Sequence, residues 1–239
     1  MHAPPLRRLR PEDPPEAFPD PATALREPDG LLAVGGDLSP ARLLYAYRHG
    51  IFPWYDAELP ILWWSPDPRA VILPGTEHVS RSLRRRMRQD DYTIRFDTAF
   101  ATVMHECAGP RAKQPGGGTW INAEMLAAYQ ELHRLGHAHS VEVWKGDVLV
   151  GGLYGVSVGR VFFGESMFSR VTDASKVALV SLARRLWDWG YALLDCQVHS
   201  EHLETLGCTR MPRREFLGFL AGYCAGAVST SAWKDGERA

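Results

Sequence analysis

The chain has 239 residues, of which 45% are apolar and 23% charged; this is enough to bury a real core in one large domain, or one domain with an appendage, and it argues against disorder. A formal net charge of −1 and a pI of about 6.8 remove any global argument for nucleic-acid binding and leave only a local basic patch as a route to it. Cys107, Cys196, Cys208 and Cys224 show no C-x-x-C spacing, no secretory leader precedes them, and no apolar run nears the roughly 18 residues that cross a bilayer. The expectation is a soluble, cytoplasmic chain with reduced thiols and no membrane contact.

Residues 1–30 are rich in Pro and charge and are expected to drape over the rest rather than form a helix. Ser39, Pro40 and Gly50 bracket a short helix as N-cap, first helical residue and stop. From Ile51 to Arg69, four prolines and three tryptophans predict an aromatic wall of extended chain and turns rather than a regular element. A domain boundary is placed near residue 70, giving a small N-terminal domain over 1–70 and a larger one over 71–239. Beyond it the spacing predicts helices over 79–88 and 98–107 and a strand over 92–96. Gly116, Gly117 and Gly118 make a flexible connection, after which Asn122 caps a helix through Leu135 that Gly136 stops. Strands over 138–144, 148–156 and 161–167 form an antiparallel meander. Asp173 opens an amphipathic helix ending at Gly190, and a strand over 191–198 follows. The sum is an α+β fold with a mixed, largely antiparallel sheet flanked by helices.

Glu165, in Gly164-Glu165-Ser166-Met167-Phe168-Ser169, and Asp195, in Leu193-Leu194-Asp195-Cys196-Gln197, both stand where an apolar strand is expected to end, a common position for ligand-binding carboxylates. Other chemistries fit less well. His133, His137 and His139, with His199 and His202, offer no third ligand at metal spacing, so no metal is expected. Ser166 lacks the second Gly of a nucleophile elbow. The turn over 169–173 has no glycine and so does not resemble a phosphate cradle. Residues 81–88 contain five arginines, Arg81, Arg84, Arg85, Arg86 and Arg88, which suit either a solvated helix face or contacts to phosphates. Trp54, Trp63, Trp64 and Trp120 suit either core or base stacking.

Seven strings carry a resemblance: Gly30-Leu31-Leu32-Ala33-Val34-Gly35-Gly36-Asp37-Leu38, Gly50-Ile51-Phe52-Pro53-Trp54, Trp63-Trp64-Ser65-Pro66-Asp67-Pro68-Arg69, Gly118-Thr119-Trp120-Ile121, Gly136-His137-Ala138-His139-Ser140, Gly164 to Ser169, and Asp195-Cys196-Gln197. In this order, from about residue 18 to about 220, the chain resembles the bacterial leucyl/phenylalanyl-tRNA–protein transferases. The resemblance implies a GNAT-like acyltransferase domain behind a small N-terminal one. It also implies transfer of Leu or Phe from aminoacyl-tRNA to the N-terminal amine of proteins beginning with Arg or Lys, which marks them for N-end rule degradation. The aminoacyl-tRNA is then a co-substrate, with no cofactor, and the protein is taken as a monomer.

By the same resemblance Asp195 and Gln197 act together on the attacking amine, and the alternation of a strand lets residues i and i+2 share a face. Asp195 would hold or deprotonate the amine, while Gln197, whose neutral amide is a very weak base, would accept a hydrogen bond from it. Glu165 joins Asp195 in binding the acceptor N-terminus, against an alternative of an internal salt bridge with Lys176 or Arg170. Leu153, Phe162, Leu179, Leu182, Leu186 and Leu194 form the pocket for the aminoacyl side chain, although a core reading explains them equally well. Such a pocket separates near-isosteres by about 1–3 kcal/mol, so Met joins Leu and Phe as a possible donor. Trp54 and Trp120 approach the 3′-terminal adenosine, and Arg81, Arg84, Arg85, Arg86 and Arg88 grip the acceptor stem. The insert over 110–118 is read as either a flap at the RNA site or a neutral loop. Two rival readings stay open: a CoA-dependent N-acetyltransferase, and a non-catalytic module that binds RNA or basic N-termini.

Overall fold

In the computed structural model, residues 6–89, 92–109, 120–229 and 232–233 are described; the insert over 110–118 lies outside them. The N-terminal region contains more regular structure than its prolines suggest. Strand β1 (Arg7–Leu9) pairs in parallel with β2 (Leu31–Gly35), which pairs with β4 (Leu62–Trp64), which in turn pairs with β3 (Phe52–Pro53). The Pro-rich stretch is held by Arg42 of helix α1 (Pro40–Arg48): its buried guanidinium pairs with Asp37 at 3.1 Å and donates to the carbonyls of Arg10, Pro11 and Asp13. A chain without helix-forming capacity is thus fixed by one side chain that satisfies its carbonyls. Ser39 is the N-cap of α1 but makes no side-chain cap bond; its own N–H instead donates to Asp37 at 2.7 Å.

The larger sheet has seven strands in the order β11-β5-β10-β9-β8-β7-β6. In chain order the elements are β5 (Arg69–Ile72), α2 (Arg81–Gln89), β6 (Tyr92–Phe96), α3 (Phe100–Cys107), α4 (Ala123–Arg134), β7 (Ala138–Lys145), β8 (Val148–Val158), β9 (Val161–Ser169), α5 (Ala174–Asp188), β10 (Leu193–Gln197), α6 (Glu201–Glu204), β11 (Thr209–Met211) and α7 (Arg213–Tyr223). β7 through β9 are the expected antiparallel meander, and β6 extends it by pairing antiparallel with β7. β10 lies parallel to β9 and antiparallel to β5, which makes the sheet mixed. Asn122 caps α4 as its sequence suggests, accepting from Met125 N at 2.9 Å. Asp173 precedes α5 in a left-handed conformation and holds Lys176 and Arg86 rather than capping the helix.

The sheet separates two apolar layers, and period-2 alternation decides which residue enters which. Phe163 and Leu193 belong to a cluster with Tyr47, Trp63, Met125, Tyr129 and Phe216, so the N-terminal elements share a core with α3, α4 and α7. Phe162 and Leu194 point into the opposite cluster, with Leu83 of α2 and Ala178, Leu182 and Leu186 of α5.

Candidate active site

The site lies where two neighbouring strands part. β9 and β10 pair from Val161↔Leu193 to Phe163↔Asp195 and no further, although β9 runs on to Ser169 beside β8 and β10 runs on to Gln197 beside β5. In the gap is a cavity of about 440 Å³, open mouth included. It is lined by Leu153, Tyr154, Gly164, Glu165, Ser166, Met167, Leu179, Leu182, Leu194, Cys196 and Leu203. Its apolar lining with a few polar groups is that of a small-ligand site.

Neither carboxylate stands at a strand end, as the sequence suggested; each sits within its strand, beside or in a bulge. Tyr154 pairs with Ser166 and Gly155 with Gly164, so Glu165 is the extra residue of β9. An extra residue has no ladder partner and turns its side chain independently of the pleat. The close approach needs glycine at 155, where a Cβ would lie 2.2 Å from the Phe163 carbonyl oxygen. In β10 the register against β5 slips between Asp195 and Gln197, and Gln197 has φ 62°. Asp195 and Gln197 are therefore joined by a kink at Cys196 rather than by the plain i, i+2 alternation of a flat strand. The Gln197 N–H bends back to donate to Asp195 Oδ1 at 2.9 Å.

The two carboxylates are held in different ways. Asp195 is fully buried and meets Arg69 in a bidentate pair, Nε to Oδ1 at 2.9 Å and Nη2 to Oδ2 at 2.7 Å. The guanidinium lies between the rings of Phe52 and Phe216, 4.7 and 4.8 Å from their centroids, and donates Nη1 to the Gly50 carbonyl at 3.1 Å. Gly50 has φ 69° and its Cβ position is crowded by Leu217 and Phe216, so glycine is needed at the end of α1 to bring that carbonyl in. Glu165 instead takes neutral donors: Tyr47 Oη to Oε1 at 2.7 Å, Tyr129 Oη to Oε2 at 3.1 Å and Gln197 Nε2 to Oε1 at 2.6 Å. The two tyrosine hydroxyls also contact each other. Burial pushes the Glu165 carboxyl up to about 7, against the lowering effect of its three hydrogen bonds, and the nearby Asp195 charge adds to the rise. Burial likewise raises both tyrosines well above their usual range, so they remain protonated donors.

The alternative of a salt bridge from Glu165 to Lys176 or Arg170 is not what forms: Lys176 pairs with Asp173 and Arg170 with Glu106. Of the six residues expected around the aminoacyl side chain, Leu153, Leu179, Leu182 and Leu194 line the cavity. Phe162 and Leu186 do not; both are fully buried in the layer behind it, because the inward face of β9 and of α5 is broader than the cavity. Trp54 is 43% exposed and packs at 5.9 Å on Trp64, while Trp120 is half-buried against the first core. Neither lines the cavity, but their segments are tied by the bond from Tyr55 Oη to Glu124 of α4 at 3.1 Å. In α2, Leu83 is buried, Arg86 reaches Asp173, and Arg81, Arg84, Arg85 and Arg88 are exposed. Among the described residues no group of three or more His, Cys, Asp or Glu is arranged to hold a metal ion, and no helix is long and apolar enough to cross a membrane.

Sequence reasoning missed Arg69, Tyr47 and Tyr129. Arg69 ends a quoted string and Tyr47 sits in the short capped helix, so both were in view. Nothing local marks them as partners of residues 126 and 118 positions away.

The family described as Leucyl/phenylalanyl-tRNA protein transferase matches residues 71–221, and its N-terminal domain matches residues 36–67. The chain is 60% identical over 205 residues to the leucyl/phenylalanyl-tRNA–protein transferase of Stutzerimonas stutzeri (strain A1501), covering 86% of this chain and 90% of that one. It is 52% identical over 229 residues to the protein of the same name from Methylococcus capsulatus (strain Bath), covering 96% and 97%. Among solved structures, L-PGS from Bacillus licheniformis aligns with TM-score 0.40 at 11% identity over 66% of this chain and 50% of that one. A GCN5-related N-acetyltransferase from Kribbella flavida aligns with TM-score 0.38 at 12% identity over 72% and 61%. The chain belongs to the leucyl/phenylalanyl-tRNA–protein transferase family and is an aminoacyl-tRNA-dependent acyltransferase.

Proposed function

We propose that the protein transfers Leu or Phe, with Met also tolerated, from aminoacyl-tRNA to the α-amine of proteins that begin with Arg or Lys, in the cytoplasm, as a monomer and with no cofactor. The observation that carries this reading is the continuity of an apolar cavity with a carboxylate and an amide at the parting of β9 and β10. An aminoacyl ester is already activated, so aminolysis needs alignment, a neutral amine and stabilisation of the tetrahedral oxyanion, with no covalent enzyme intermediate.

In this reading Leu153, Leu179, Leu182 and Leu194 receive the donor side chain, with Met167 and Leu203 completing the wall. Phe162 and Leu186 support that wall from behind. Trp54 and Trp120 stack on the terminal adenosine, worth about 1–3 kcal/mol each, and the exposed arginines of α2 contact the acceptor stem. Glu165 binds the acceptor's ammonium and Gln197 orients it. Asp195, enclosed by Arg69, acts one step back by fixing the Gln197 backbone rather than by touching the amine. The region before residue 70, packed on the larger domain through a shared core, contributes Trp54 to the RNA side.

The test is transfer of labelled Phe from Phe-tRNA to a peptide beginning with Arg, beside the same peptide beginning with Ala, with no CoA or metal added. Label on the Arg peptide alone is expected. Label on neither, in folded protein, would overturn the reading.

A further inference from the structure

Aminolysis of an ester by a protonated amine has a fixed proton balance. The ammonium loses one proton before its nitrogen can attack. The second N–H proton, acidified once the C–N bond has formed, leaves with the ribose oxygen as the C–O bond breaks. One proton is released overall, and a group at the site is needed to take the first one as the nitrogen attacks.

Two carboxylates stand at the parting of the strands, and they differ in what they can accept. Both oxygens of Asp195 are committed to Arg69 and its carboxylate is fully buried. Protonating it would strand a guanidinium in the core, the costly case of a buried charge without its partner. Glu165 has neutral donors and lines the cavity.

The geometry around Glu165 also counts hydrogens. Tyr47 Oη, Tyr129 Oη and the two carboxylate oxygens make three oxygen–oxygen contacts: Tyr47 to Oε1, Tyr129 to Oε2, and Tyr47 to Tyr129. Two hydroxyls supply two hydrogens. A hydrogen bond needs one hydrogen per contact, so the cycle is one proton short while Glu165 is ionised and complete when Glu165 is protonated. Gln197 adds its own N–H and does not change the count. Hydroxyls can turn from donating to accepting, which a guanidinium cannot do. The longest of the contacts to the carboxylate, Tyr129 to Oε2 at 3.1 Å, marks Oε2 as the oxygen with room for the proton.

From this we infer that Glu165 is the proton acceptor of the reaction, taking the first proton of the acceptor ammonium, with Tyr47 and Tyr129 as positioning residues that complete a closed hydrogen-bond cycle around the protonated carboxyl. The proton leaves Glu165 to solvent after the peptide product departs. The inference rests on the acceptor amine entering the cavity as set out under the proposed function, and it deepens that reading by naming the base. The titratable groups facing Glu165 are Tyr47 of α1, Tyr129 of α4, Asp195 of β10 and, through Tyr129, Tyr154 of β8. The burial that lifts the Glu165 carboxyl to about 7 puts it where a base is most effective near neutral pH.

The experiment is the pH dependence of kcat for Phe transfer to a saturating Arg peptide, in wild type, Glu165→Gln and Tyr129→Phe, with thermal unfolding as the fold control and Phe-tRNA binding measured separately. Wild type should show a limb near pH 7. Glu165→Gln should lose at least about 100-fold in kcat together with that limb, while Phe-tRNA binding is kept. Tyr129→Phe, by opening the cycle that is complete only around the protonated carboxyl, should move the limb to lower pH; a purely structural role would lower the rate at all pH values and leave the limb in place. If Glu165→Gln raises KM for the peptide but reaches wild-type kcat with an unchanged limb, Glu165 only binds the ammonium and the inference falls. Should wild type itself fail to label the Arg peptide, it is the proposed function that falls, and the two failures are told apart by that control.

Discussion

Two acidic side chains on adjacent strands, Asp195 and Glu165, have almost opposite surroundings. Asp195 is locked to Arg69 between two phenyl rings, where its charge is matched and its geometry fixed. Glu165, on the bulge of β9, is held by two hydroxyls and an amide, none of which brings a compensating charge. A matched pair builds a rigid floor, whereas an acid without a cation can change its protonation state without tearing the core. One strand of separation thus divides structural electrostatics from chemistry, with Gln197 linking the two by its N–H to Asp195 and its Nε2 to Glu165.

The severest way to break the contrast is Arg69→Met, which leaves the Asp195 carboxylate buried without its partner. The expected cost is about 3–5 kcal/mol, or a fall in Tm on the order of 10 °C, read by calorimetry at pH 7. The double variant Arg69→Met/Asp195→Leu should recover much of the loss. A single variant as stable as wild type would mean that the pair carries no structural weight.

A second effect follows from the other carboxylate. In the native state Glu165 is raised to about 7 from 4.5, so the folded protein holds this proton more tightly than the unfolded chain does. Its contribution to stability is complete below pH 4.5 and is lost as the pH rises through about 7, a change on the order of 3 kcal/mol. Urea melts of wild type and Glu165→Gln across that window should differ in slope, with the variant flatter. Parallel curves would place the Glu165 pKa in the ordinary carboxylate range.

The apolar end of the cavity sharpens the comparison by function. Leu182→Ala enlarges the wall facing the donor side chain and should shift the competition between Phe-tRNA and Leu-tRNA toward the bulkier donor by about 1–3 kcal/mol. An unchanged ratio would return Leu182 to the core. The smallest effect on the protein itself is expected from Arg81→Gln with Arg88→Gln on the exposed face of α2. Stability should stay within about 0.5 kcal/mol, while the log–log salt dependence of aminoacyl-tRNA binding loses about 0.7–0.9 per lost phosphate contact. An unaltered slope would make the arginines a solvated face.

Much of the fold was legible because it is encoded between near neighbours. The meander from β7 to β9, the Asn122 cap and the helix after Asp173 all follow from alternation, capping chemistry and helical spacing. The N-terminal strands were not legible. β1 and β3 are three and two residues long, and their pairing depends on partners far along the chain rather than on their own pattern. The prolines argued against helix correctly but said nothing of Arg42, the side chain that organises them.

For the site, the sequence alone determined the chemical types: a carboxylate in each of two neighbouring strands, an amide two residues after one of them, leucines on the inward face and a run of arginines. Local order suffices for these because each is a residue in a short apolar context. Only the tertiary structure decided which acid is neutralised and which is left to titrate. Tyr47 and Tyr129 meet across 82 positions, and Arg69 meets Asp195 across 126. The bulges that turn Glu165 and Gln197 toward each other arise from strand pairing, since an extra residue exists only relative to the partner strand it fails to match.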